Sequence, residues 1–264
     1  MDSSARPVAL VTGASGGIGA ALARELARHG HDLVLAARDA AAMEALAAEL
    51  REGGAGTTVI PADLSKPGAA ATLADEIARG GVAIDILVNN AGLGAAGRFD
   101  HNDPARIGEI LQVNIVALTE LTRLLLPAMQ ARRLGGVINV ASTAAFQPLP
   151  YIAVYGASKA YVLHLTEALA AEYEGSGVRF LALCPGNTRT RFTEVANADV
   201  SGMAAATPES VVAAALQALA TRRHYLVPGW LNYLTAQLPR LLSRRQVTRL
   251  VATLFAKRIM PKVS

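Results

Sequence analysis

The sequence predicts a doubly wound α/β domain, built on a mostly parallel seven-stranded sheet with helices on both faces. Three observations predict it. Short β-branched, apolar runs alternate with longer stretches of helical period along most of the chain. Most of those runs are apolar on both faces, as strands covered by helices on each side are. A glycine-rich turn directly follows the first run.

Taken in order, the first strand is VALVT (8–12), and the helix near 17–29 opens from the glycine turn behind it. DLVLAA (32–37) is the second strand, and Asp39 is placed to cap a helix over 39–52. TTVIPA (57–62) and a helix near 67–79 follow, then ILVNN (86–90). Asp103 as N-cap and Pro104 in the first turn open a long helix over 103–131. GVINVA (136–141), a helix over 155–174, VRFLALC (178–184), a helix over 208–220 and a short last strand at HYLVP (224–228) complete the series.

With 264 residues, 52% of them hydrophobic, the chain can bury the core of one large domain, and no Ser/Gly linker or low-complexity tract divides it. The single cysteine, Cys184, excludes an intrachain disulfide, suits a reducing compartment and reads as a small buried residue at a strand end. MDSSARPVALVTG lacks the charged-then-apolar order of a signal peptide, and no apolar run approaches the roughly 20 residues of a membrane span. A soluble, cytoplasmic protein is expected. Five scattered histidines, His29, His31, His101, His164 and His224, without H-E-x-x-H or CxxC pairing, argue against a metal site.

TGASGGIG (12–19) supplies the first chemistry. Gly13, Gly17 and Gly19, with Ser15 and Ile18 between them, let the backbone approach a pyrophosphate whose charge meets free N–H groups at a helix N-terminus. Their spacing, G-x-x-x-G-x-G, departs from the usual dinucleotide fingerprint, and a purely structural tight turn is the competing reading. The second strand ends in AAR (36–38), where such folds present an acid to the ribose 2′-hydroxyl. Here Ala37 stands in that place and Arg38 follows, able to fork onto a 2′-phosphate; NADP(H) is therefore favoured over NAD(H), and a solvated surface arginine is the alternative. In PADLS, Asp63 can accept from an adenine amino group or cap the following turn, with Leu64 beside it.

NNAG (89–92), Asn114 in QVNIVA, Ser142 in NVAS, YGASK (155–159) and CPGNTRT (184–190) follow. In order and spacing, over about residues 7–228, these motifs resemble the short-chain dehydrogenase/reductase family in its compact, Rossmann-like form. The resemblance implies a catalytic and dinucleotide-binding domain over 1–229. It also implies an NADP(H)-dependent oxidoreductase moving hydride between nicotinamide and a carbonyl or secondary alcohol, of the ketone or 3-oxoacyl kind.

A free tyrosine titrates near pH 10, too high for proton exchange at neutral pH, and a neighbouring cation lowers that value. Lys159, at i+4 from Tyr155, shares its helix face. The resemblance makes Tyr155 the general acid/base, Lys159 its partner and a ribose ligand, Ser142 the donor to the substrate oxygen, and Asn114 the support of a proton relay. It also implies that Asn90, Ala91 and Gly92 lie along the adenosine half of the cofactor, that Pro185 and Gly186 precede the nicotinamide segment, and that Thr190, or its rival Thr188, bonds the carboxamide or pyrophosphate. Asn89 and Asn90 are expected to bond backbone across neighbouring strands, and Tyr151 to line the substrate side. A damaged set of catalytic residues would mark a regulator that binds NADP without turnover; here the set is intact.

The resemblance also implies a substrate lid over residues 191–207, whose Phe192, Val195, Val200 and Met203 suit a lipophilic substrate. A homodimer or homotetramer is implied through helices 103–131 and 155–174, with Ala117, Leu121, Leu124 and Leu125 on an apolar face. Residues 230–264 read as a basic amphipathic extension, two helices broken near Pro239. The net charge of +4 conceals its weight: residues 210–264 carry nine basic side chains and no acidic one. Three readings compete for it: an arm over the cleft or a partner subunit, a helix on an anionic membrane, and a dock for an acidic carrier protein. No recognised nucleic-acid module accompanies the charge.

Overall fold

A computed structural model describes residues 6–190, 192 and 205–259. Seven strands form one sheet: β1 Val8–Thr12, β2 Asp32–Ala37, β3 Thr57–Pro61, β4 Ile86–Asn89, β5 Gly135–Val140, β6 Val178–Leu183 and β7 Tyr225–Leu226. Their order is 3-2-1-4-5-6-7 and every neighbouring pair is parallel. The order reverses between β1 and β4, which leaves a crevice beyond the carboxyl ends of those strands, where open sheets of this kind bind ligands.

The helices in chain order are α1 Gly17–Arg28, α2 Ala40–Glu52, α3 Ala69–Arg79, α4 Pro104–Leu111, α5 Leu118–Arg132, α6 Ala153–Glu172, α7 Pro208–Val212, α8 Ala215–Ala220, α9 Trp230–Gln237 and α10 Arg244–Ile259. The pleat splits the core in two. Ala9 and Val11 of β1 face α1 and α2 with Leu22, Leu26 and Met43, while Leu10 between them joins Leu73, Ile110 and Leu121 on the other side. Asp39 and Asp103 cap their helices, accepting from the amides of Ala42 and Ala105 at 3.0 Å each.

The helix expected over 103–131 is one continuous rod, Pro104–Arg132, but α4 and α5 are joined by a π turn, Gln112–Ala117, which holds Asn114. At 29 residues the rod is long and apolar enough to span a membrane by length and composition, contrary to the sequence expectation; here its Ile110, Leu121, Leu126 and Met129 are buried in the core. The apolar face proposed for subunit contact also needs correction. Ala117 and Leu121 point into that core, whereas Leu111, Val116 and Leu124 are exposed, as is Tyr161 of α6. The expected helix 208–220 is divided into α7 and α8. Of the expected lid over 191–207, residues 191 and 193–204, Val195, Val200 and Met203 among them, lie outside the described residues.

Candidate active site

The turn after β1 folds tightly because glycine is required there. Gly13 and Gly17 have φ of 66° and 55°, and a Cβ on Gly13 would stand 2.8 Å from Asn90 Nδ2. Asn90 ties the turn to β4, its Nδ2 donating to the carbonyls of Thr12 at 2.9 Å and Gly13 at 3.2 Å. This agrees with the expected backbone role. Asn89 differs: its Nδ2 donates to side chains, Asn139 Oδ1 at 2.9 Å and Thr122 Oγ1 at 3.0 Å. It faces the buried interior between β4, β5 and α5, where a side-chain amide must find polar partners and the strand backbone is already paired.

No side chain caps α1, whose N-cap is Gly16, so its first amides point free into the crevice. A cavity of about 1380 Å³ runs from this turn across the sheet edge. Its wall includes Gly13, Ser15, Gly17, Ile18, Arg38, Asp63, Leu64, Asn90, Ala91 and Gly92 at one end. Ser142, Tyr155, Lys159, Pro185, Gly186, Thr188 and Thr190 lie towards the other. Gly19 and Asn114 do not line it. Gly19 lies behind the turn, so close to Gly13 O that a Cβ would collide with it, and Asn114 is fully buried.

Arg38 is exposed beside the buried Ala37 and takes part in no salt bridge among the described residues. Asp63 Oδ1 accepts from Ser65 Oγ at 2.7 Å and Ser65 N at 3.1 Å, so it caps the following turn. The Ser65 hydroxyl holds its carboxyl below the usual range, with Arg38 and Lys66 adding to the effect. Bare amides at the start of α1, glycines where a Cβ would fill the cradle, and an unopposed arginine after β2 fit a dinucleotide that carries a 2′-phosphate.

At the far end, Ser142 follows β5 and accepts from Ala144 N at 3.1 Å, which fixes its hydroxyl at the sheet edge. Tyr155 and Lys159 lie on α6, one turn apart. Lys159 Nζ donates to the Val140 carbonyl at 2.7 Å. Burial pulls this ammonium down to about 8. Burial also pushes the Tyr155 phenol up, and the Ser142 side chain pulls it back. The enclosure thus works against the expected acidification. A positive charge brought close to the phenol would act with Ser142 against that burial.

Gly156 packs against Leu149, where a Cβ would meet the leucine at 3.1 Å, and Leu149 in turn lines the cavity. Ser158 donates to Tyr155 O at 2.7 Å and accepts from Asn114 Nδ2 at 2.9 Å. Asn114 also holds Leu93, its Oδ1 accepting from Leu93 N at 2.8 Å and its Nδ2 donating to Leu93 O at 2.9 Å. Its side chain therefore clamps the loop after β4 to α6. A Cβ on Gly92 would lie 3.4 Å from Lys159 Nζ and 3.6 Å from Asn114 Oδ1, so these three residues meet.

Thr190 packs against the phosphate turn, its Cγ2 2.9 Å from a Cβ built on Gly17, and Thr188 Oγ1 donates to Gly186 O at 3.0 Å. The Phe192 ring packs against Tyr155 at a tilt of 45°, with ring centres 5.1 Å apart. Tyr151 is not part of the cleft; with φ of 70°, it lines a separate small cavity with Phe99 and Ile107. Cys184 is buried and its thiol is pushed up to about 12 by that burial, which leaves it inert.

Sequence reasoning missed Leu149, Ile152 and Val113 in the wall, and it left the destination of the C-terminal arm open. Leu238, Leu242, Val247, Leu250, Leu254 and Phe255 of that arm complete an apolar end to the cavity. Asn232 of α9 anchors it, donating to Pro228 O at 2.9 Å and sitting 2.7 Å from a Cβ built on Gly186.

Residues 7–201 match the family model described as short chain dehydrogenase. The chain is 34% identical over 214 residues to the ketoacyl reductase HetN of Nostoc sp., covering 80% of this chain and 74% of that protein. It is 34% identical over 215 residues to the very-long-chain 3-oxoacyl-CoA reductase of Anas platyrhynchos, covering 79% and 67%. Among solved structures, the short-chain dehydrogenase from Sphingobium yanoikuyae in complex with NADPH aligns with a TM-score of 0.82 at 36% identity, over 91% of this chain and 93% of that one.

Proposed function

The chain belongs to the short-chain dehydrogenase family and is an NADP(H)-linked oxidoreductase; from that premise we propose that it reduces a lipophilic ketone or 3-oxoacyl-type carbonyl, with Tyr155 as the general acid. The observation that carries this reading is the continuity of one cavity, in which Tyr155 and Ser142 stand between the α1 phosphate turn and the apolar end built by the arm. Ketoacyl and 3-oxoacyl-CoA reductases among the relatives support the substrate class.

When bound, NADPH supplies the hydride. Arg38 would hold its 2′-phosphate and the α1 amides its pyrophosphate. Ser142 Oγ orients the carbonyl oxygen and stabilises the charge that develops on it, and Tyr155 Oη gives that oxygen its proton. Lys159 is mostly protonated at neutral pH with its value near 8, so its charge offsets the burial that makes the phenol a poor acid. Asn114 keeps α6 and the loop after β4 in register for this. Because cells keep the NADP pool largely reduced, the physiological direction is reduction. The cytoplasm is the proposed location. The exposed Leu111, Val116, Leu124 and Tyr161 support a homodimer or homotetramer through the helices that carry them, which light scattering at micromolar concentration tests.

The test is turnover of a panel of ketones with NADPH. Tyr155→Phe should lower kcat by about 10²–10⁴-fold while leaving NADPH binding intact. Binding of NADPH with no turnover on any carbonyl would instead mark a regulator of the same fold.

A further inference from the structure

The outer surface of the arm carries a second signal. Trp230 and Leu241 are 76% and 84% exposed, and Tyr233 and Leu234 are exposed between them. Interleaved with these are Arg240, Arg244, Arg245 and Arg249, all exposed and none in a salt bridge among the described residues. Single exposed leucines need no explanation, but an aromatic and aliphatic patch set among unpaired arginines marks a surface built to be covered. Leu238, Leu242, Leu250 and Leu254 are exposed and also line the cavity, so this surface is the rim of the cleft.

Charge decides what covers it. A second copy of the chain meeting this face symmetrically would set Arg240, Arg244, Arg245 and Arg249 against the same four arginines, with no acidic side chain in residues 210–264 to answer them. An acidic protein would have to answer the arginines and also carry an apolar patch in register with Trp230 and Leu241. An anionic bilayer answers both, taking aromatic and leucine side chains into the interface and guanidinium groups to the headgroups.

We propose that α9, the turn Leu238–Leu241 and α10 dock the protein peripherally on anionic membranes, with the mouth of the cleft against the lipid surface. The docking does not depend on the enzymatic reading. Its consequence, that a lipophilic carbonyl enters the cleft from the lipid side, rests on the function proposed above.

Trp230 is the only tryptophan in the chain, so its emission reports on the arm alone. The full-length protein is titrated with vesicles of phosphatidylcholine, and of phosphatidylcholine with phosphatidylglycerol mixed roughly three to one, by Trp230 emission and by co-sedimentation. The mixed vesicles should sediment the protein and move Trp230 emission to shorter wavelength, and lipids brominated on the acyl chain should quench it. The Arg240→Gln/Arg244→Gln/Arg245→Gln variant should lose about 100-fold in partitioning, near fivefold per arginine. Its thermal melting temperature should be unchanged, which shows that it folds.

Unchanged emission with no sedimentation would overturn the proposal, as would equal binding to phosphatidylcholine alone. Emission already shifted without lipid, and reversed by dilution, would assign the face to a second copy; capture of a purified acyl carrier protein without vesicle binding would assign it to an acidic partner. Both would overturn the proposal. No readout of vesicle binding requires turnover, so a failure of the oxidoreductase reading leaves this test standing.

Discussion

Lys159 Nζ lies 5.8 Å from the centre of the Tyr155 ring while donating its hydrogen bond to Val140 O at 2.7 Å. The strand that leads to Ser142 therefore also holds the lysine in place. Helix spacing brings the two side chains to one face, but the end of β5 decides how far the ammonium reaches. That arrangement leads to a pH-dependent prediction.

Burial lowers Lys159 from 10.5 to about 8, so the fold disfavours its charged form. Below pH 8 both folded and unfolded chains carry the proton, and the full cost of about 3 kcal/mol is present. Between about 8 and 10.5 the unfolded chain holds more protons than the folded one, so this contribution improves as pH rises. Lys159→Met removes it. The stability advantage of Lys159→Met over the parent should shrink from pH 7.5 to 10.5 in denaturant titrations of the cofactor-free protein, and a constant difference would refute the assignment.

Arg38 follows the buried Ala37, which stands where a dinucleotide fold usually has an acid. Arg38→Asp should raise KM for NADPH by about 100-fold, since a charge-assisted contact of roughly 1.5–3 kcal/mol is lost and a repulsion added. KM for NADH should fall or hold. An equal rise for both cofactors would mean that the residue acts through folding and does not read the 2′-phosphate.

Gly19 is predicted to be intolerant although it does not line the cleft. An added Cβ would collide with the Gly13 carbonyl and with Asn90 Nδ2. Gly19→Ala should cost about 2 kcal/mol by overpacking and weaken NADPH binding through the displaced turn. Thermal melting with and without NADPH separates the two effects; a variant with parental stability and affinity would show that the turn can yield there.

Leu250 and Leu254 belong to the apolar end of the cavity. Changing both to Ser should raise KM for a medium-chain 3-oxo ester by about tenfold, for roughly 1.4 kcal/mol of lost apolar contact, and leave KM for a small cyclic ketone unaltered. Uniform loss on both substrates would place the chain elsewhere.

Much of this molecule is legible in one dimension. Alternation of apolar runs and helical stretches is a local property, and so are the glycines after β1, the caps at Asp39 and Asp103, and the i+4 spacing of Tyr155 and Lys159; each is set by bonds and sterics within a few residues. The features that eluded it join distant positions. The Asn89–Asn139 pair spans 50 residues and the Asn114–Ser158 bond 44. The π turn around Asn114 answers to both Leu93 and Ser158 at once, which no periodicity signals.

The sequence by itself determined the sheet, the cofactor cradle and the chemistry available at YGASK, because those follow from local backbone freedom and the identity of a few side chains. Tertiary structure alone decided that the arm closes the cleft, that Ala117 and Leu121 belong to the core while Leu124 does not, and that burial raises Tyr155 and lowers Lys159. The physical reason is the same in each case: which face of a helix is buried, and how much water a charge loses, are fixed by what packs against it from elsewhere in the chain.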